Sequence, residues 1–134
     1  MAVIDASVYI ALINAREENH ASSWAWFEQT KRAQEPIVAP VILLAEVSAA
    51  LTRGVEGKAL AHRVVQQLKR SEAVELVPVT LAMAEQAAII AADYRIRGCD
   101  AVYVALADQL GDPLVTLDRQ QLECGAAIVV TRQP

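Results

Sequence analysis

The feature that most constrains this 134-residue chain is an alternation of short apolar runs with longer stretches of helical spacing. Met1–Asp5, "PIVAP", "VELVPV", "PLVTLD" and "AAIVV" read as strands. Between them the chain turns to helical patterns. Ser7–Asn14 reads as a short helix with Ser7 at its N-cap. Trp24, Phe27 and Lys31 fall at helical spacing within a stretch of roughly Asn19–Ala33. Pro40 suits the first turn of a helix running to about Arg53 and stopped by Gly54. Leu60, Val64 and Leu68 mark an amphipathic helix over about Gly57–Arg70. Leu81 to about Arg97 is an Ala- and Ile-rich helix closed by Gly98, and Asp100–Leu110 is another, ended by Gly111. Strands alternating with helices imply an α/β fold with a layered, parallel sheet.

Composition narrows this further. The residues are 54% hydrophobic but only 4% aromatic, so the core must be built from Val, Ile, Leu and Ala. The length predicts one domain over residues 1–134, burying roughly two-thirds of its unfolded surface. Cys99 and Cys124, with no secretory leader, suggest a reducing cytoplasm rather than a disulfide framework. No apolar run reaches the ~20 residues that span a membrane. A formal net charge of -4 argues against coating nucleic acid by bulk charge. It leaves room for a nucleic-acid enzyme, because bound divalent cations invert the local field.

Four acids stand in unexpected company. Glu46 is the only charged residue between Glu35 and Arg53. Its helical neighbours are Ile42, Leu43, Ala49 and Ala50, so the carboxylate emerges from an apolar face. There it must meet a cation, shift its pKa upward or reach water. An exposed Glu, or a buried one paired with Arg, accounts for it equally well. Asp100 opens the uncharged run "AVYVALA", where a helix N-cap is the simplest role. Asp118 closes "LVTLD", with Thr116 on the same side of the strand; alone it reads as a strand-end turn. Asp5, between two apolar runs, reads alone as an Asx turn or cap.

Topology links the four. Sites in open α/β sheets form at the carboxyl ends of strands, where Asp5 and Asp118 lie. Asp100 at a helix start and Glu46 on the helix after the second strand can face the same edge. Four carboxylates there repel one another unless a cation compensates, and oxygen-only ligation favours Mg²⁺ or Mn²⁺. No His/Cys cluster with zinc spacing competes.

"VIDASV", "LAEV", "RGCDAVYVALA" and "PLVTLDRQQL", in that order over almost the whole chain, resemble the PIN domain family, most of all its VapC-type toxins of prokaryotic toxin–antitoxin pairs. The resemblance implies a three-layer α/β/α fold around a mostly parallel sheet of about five short strands. It implies that Asp5, Glu46, Asp100 and Asp118 are the catalytic quartet holding one or two Mg²⁺ or Mn²⁺ ions. Ser7 and Thr116 match the flanking hydroxyl positions that support ligands or water. The implied activity is hydrolysis of RNA by metal-activated water, leaving 5'-phosphate and 3'-hydroxyl ends. A homodimer and a silencing antitoxin are the implied partners.

Grip on RNA requires positive groups, and Arg95, Arg97 and Arg119 lie close to the acids in sequence, though each is also ordinary surface charge. Lys58, Arg63, Lys69 and Arg70 read as a solvated helix face. Trp24 and Trp26 cannot both be core. Cys99 reads as a small buried packing residue. His20 and His62 raise a histidine ribonuclease, but neither has a site-like context. The rival of another class is a PIN-like module that binds RNA or protein without cutting.

Overall fold

The computed structural model describes residues 1–54 and 57–134. Its sheet has five strands, all parallel: β1 (Ala2–Ile4), β2 (Ile37–Pro40), β3 (Glu75–Val77), β4 (Leu114–Val115) and β5 (Thr131–Arg132). They lie in the order β3-β2-β1-β4-β5. Helices α1 (Ala6–Ile13) and α2 (His20–Arg32) connect β1 to β2, and α3 (Leu43–Thr52) and α4 (Gly57–Arg70) connect β2 to β3. Helices α5 (Leu81–Tyr94) and α6 (Gly98–Leu110) return the chain to β4, and α7 (Arg119–Gly125) precedes β5.

Right-handed crossovers place α1–α4 on one face, because the chain there steps from β1 towards β3. The chain steps the other way from β4 to β5, so α5–α7 cover the opposite face. Covered on both sides, the central strands must be apolar throughout. Ala2, Val3 and Ile4 are fully buried, as are Leu114 and Val115 beside them. Tyr103, Val104 and Leu106 of α6 join this core. Ile4 stands in register with Val115, so the residues that follow each strand, Asp5 and Thr116, emerge side by side. Among the described residues, no helix is long and apolar enough to cross a membrane.

Several boundaries differ from expectation for local reasons. Asp5, not Ser7, caps α1: its backbone is extended and its side chain accepts from the Val8 amide. Pro40 closes β2 rather than opening α3, which begins at Leu43. Helix α5 ends at Tyr94 because Arg95 turns left-handed (φ 55°), and Gly98 then starts α6 rather than closing α5. Asp100 accordingly sits within the first turn of α6, one turn past the N-cap position, which Arg97 takes. The segment after Asp118 is helical, and "AAIVV" is not a strand: Ile128 and Val129 turn back to the Gly125 carbonyl, and β5 begins at Thr131. Trp24 is 45% exposed and stacks on His20, whereas Trp26 packs against the core. Lys58, Arg63, Lys69 and Arg70 are exposed on α4.

Candidate functional site

The strand order reverses direction between β1 and β4, since β1 leads to one side of the sheet and β4 to the other. Such a switch point opens a crevice beyond the carboxyl ends of its two strands. Asp5 and Thr116 are the first residues past those ends.

Asp5 is only 3% exposed, and its carboxylate accepts four hydrogen bonds. Ser7 Oγ donates to Oδ1 at 2.6 Å and the Val8 amide at 3.2 Å. Thr116 Oγ1 donates to Oδ2 at 2.6 Å and Gln121 Nε2 at 2.9 Å. Burial nevertheless dominates and raises the Asp5 pKa, with the Asp118 charge adding to the rise against those donors. Ser7 Oγ also accepts from the Leu117 amide, and Thr116 Oγ1 from the Asp118 amide, so both hydroxyls tie the two strand exits together.

The other three acids arrive from separate elements. Asp118 caps α7, its Oδ1 accepting from the Gln121 amide at 3.0 Å. Asp100, near the start of α6, is buried, and burial raises its pKa although Arg97 opposes the rise. Its Oδ2 accepts from Arg97 Nε at 2.8 Å and its Oδ1 from Gln121 Nε2 at 3.1 Å. Glu46, in the first turn of α3, is half-buried and accepts from the Tyr103 hydroxyl at 3.2 Å. Burial first, and then the charges of Glu46, Asp5 and Asp100, push the Tyr103 pKa far up, so this hydroxyl stays a donor. Glu46 thus looks onto the same group of carboxylates.

Gln121 was not singled out in the sequence, yet it touches three of the four acids. It is 1% exposed, and its Nε2 bridges Asp5 and Asp100. Its Oε1 is buried without a partner, and turning the amide over would set oxygen against two carboxylates. A sequence signal exists in the spacing Asp118-x-x-Gln121, the pattern of an N-cap residue followed three positions on by Gln.

The arginines divide. Arg97 reaches both Asp100 and, through Nη2 at 3.1 Å, Asp118 Oδ2. Arg95 and Arg119 are exposed. Cys99 is exposed rather than buried; its thiol pKa is raised by desolvation first, then by Glu46 and Asp100. His20 is occupied elsewhere, its Nδ1 lying 2.7 Å from the Ala11 carbonyl.

The donor set is oxygen only, which suits Mg²⁺ or Mn²⁺ in kind. Among the described residues, no three acidic, His or Cys side chains converge closely enough as they stand to hold an ion. The reason lies in the hydrogen bonds: an amide sits between Asp5 and Asp100, and a guanidinium between Asp100 and Asp118. The chemistry fits a hard cation, and the spacing is that of carboxylates already partnered. Two surface depressions lie elsewhere, one lined by Asp108, Pro113 and Val130 and the other by Lys31, Glu72 and Glu75.

The sheet order, the covering helices and this polar edge define a doubly covered α/β domain with its acids at a switch point. The PIN domain family model matches residues 2–126, and the chain belongs to that family. Solved structures agree in fold. VapC20 of Mycobacterium tuberculosis, a sarcin-ricin loop cleaving toxin, superposes with a TM-score of 0.78 at 20% identity, with all of both chains covered. VapBC2 of Rickettsia felis, bound to a promoter DNA fragment, gives 0.74 at 13%, covering 99% of this chain and 98% of that one. FitAcB of Neisseria gonorrhoeae gives 0.71 at 17%, covering 100% and 98%. No curated protein matches the chain in sequence.

Proposed function

We propose that this protein is a divalent-metal-dependent endoribonuclease and the toxin of a toxin–antitoxin pair. The observation that carries the reading is the Asp5 carboxylate, buried at the switch point, fully hydrogen-bonded and joined through Gln121 to Asp100. A soluble domain gains nothing in stability from a desolvated acid beside other acids. PIN nucleases generally use divalent ions. Here Asp5, Glu46, Asp100 and Asp118 would hold Mg²⁺ or Mn²⁺. When bound, the ion supplies charge neutralisation at a phosphodiester and lowers the pKa of a water.

The chain's own residues do the rest. Ser7, Thr116 and Gln121 fix Asp5 in one orientation, so no reorganisation of that carboxylate is needed. Tyr103 aims Glu46. Arg95, Arg97 and Arg119, near the acids, would supply positive charge for RNA phosphates. The structural neighbours include toxin–antitoxin complexes from Klebsiella pneumoniae and Salmonella typhimurium, the latter bound to DNA, which supports an antitoxin partner here. A homodimer acting in the cytoplasm completes the proposal.

The test is RNA cleavage by purified protein with and without divalent ions. Cutting with Mg²⁺ or Mn²⁺ is expected, abolished by EDTA and by Asp5→Asn. Cleavage that survives full chelation sinks the metal reading. Mn²⁺ binding without cleavage of any cellular RNA favours a non-catalytic binding module instead.

A further inference from the structure

Among the described residues, Arg97 is the one Lys or Arg that forms an ion pair with any of Asp5, Glu46, Asp100 or Asp118. It pairs with two of them at once, and they come from different elements: Asp100 in α6 and Asp118 at the cap of α7. It spends one nitrogen on each, Nε on Asp100 Oδ2 and Nη2 on Asp118 Oδ2. The remaining oxygens, Asp100 Oδ1 and Asp118 Oδ1, are taken by Gln121. Glu46 also acts on the guanidinium through its charge. The positive group thus sits among carboxylates that a hard cation would need.

We infer that Arg97 is the site's own counter-ion: its guanidinium and a divalent cation compete for the Oδ2 atoms of Asp100 and Asp118. This rests on the metal reading above. In the metal-free protein the guanidinium offsets the repulsion between the two acids. A divalent cation at the two Oδ2 atoms meets the guanidinium's positive charge in the same place, so the two exclude each other by repulsion and by position. The exchange is mechanically simple. The Arg97 side chain is 67% exposed, so the guanidinium can turn out to water, and its pair with the 27%-exposed Asp118 is of the weak surface kind. Released, the guanidinium lies at the mouth of the edge, where a phosphate oxygen can replace the carboxylates as its partner. One side chain then serves two states, latching the empty site and gripping the substrate of the loaded one.

The experiment is calorimetric titration of Mn²⁺ into wild type, Arg97→Gln, Arg97→Lys and Arg119→Gln, with melting curves in EDTA and in Mn²⁺. Arg119 adjoins Asp118 in sequence but pairs with none of the four acids, so its variant reports the effect of net charge alone. Arg97→Gln is expected to bind Mn²⁺ about three- to tenfold more tightly, more than Arg119→Gln does. It should also melt lower in EDTA and gain more from Mn²⁺. Arg97→Lys, which cannot fork between two carboxylates, falls between. If wild type binds Mn²⁺ and Arg97→Gln binds it equally or more weakly, the competition is wrong while the metal reading stands. If neither wild type nor any variant binds Mn²⁺, the metal reading fails and the competition with it.

Discussion

Asp5 and Asp118 both cap a helix at the same edge of the sheet, and they live in opposite conditions. Asp5 is buried under four donors contributed by α1, the residue after β4, and α7. Asp118 is 27% exposed and has two, a backbone amide and an exposed guanidinium. One carboxylate is preorganised by the fold, and the other is held by a partner that water and ions can displace. The acidic edge therefore has an inner half held by buried donors and an outer half held by an exposed one.

The largest expected effect breaks the inner half. Asp5→Asn should lower RNA cleavage by roughly a thousandfold or more, several kcal/mol of transition-state stabilisation, while circular dichroism stays unchanged. Next comes Gln121→Leu, which removes the bridge between two buried carboxylates. Urea unfolding in EDTA should show a loss of about 1–3 kcal/mol, and activity should fall about ten- to a hundredfold.

The third effect is pH dependence in EDTA. Asp5 and Asp100 have folded pKa values above the ordinary 3.8, so the folded protein binds more protons than the unfolded one in that window. Stability should therefore fall as pH rises from about 4 through the raised values. In Asp5→Asn that slope should flatten; an unchanged slope would remove Asp5 from the account. The smallest effect belongs to the outer half. Arg97→Gln should lower metal-free stability by under about 1 kcal/mol, read as a drop of a few degrees in melting temperature. A loss as large as that of Gln121→Leu would erase the distinction between the halves.

The fold was legible because strand and helix periods differ and the strands are short and apolar. The four acids were legible by contrast, each being a charge beside an uncharged run. Gln121 had no such contrast: a neutral amide in "DRQQL" looks like surface until the chain is seen to turn helical at Asp118. The two-element grip of Arg97 was beyond sequence reasoning, because it depends on α5 ending at Tyr94 and on the turn at Arg95 bringing the next residues to Asp118 and Gln120. Cys99 misled for a related reason: its apolar neighbours begin only after Asp100, where α6 enters the core.

The bonds that settle Asp5 link it to residues 111 and 116 positions further along the chain. A ribosome makes Asp5 and Glu46 long before it reaches Thr116 and Gln121. A nascent chain that ends before Thr116 thus carries Asp5 without two of its four donors. The arrangement of Asp5 is complete only once synthesis has passed Gln121.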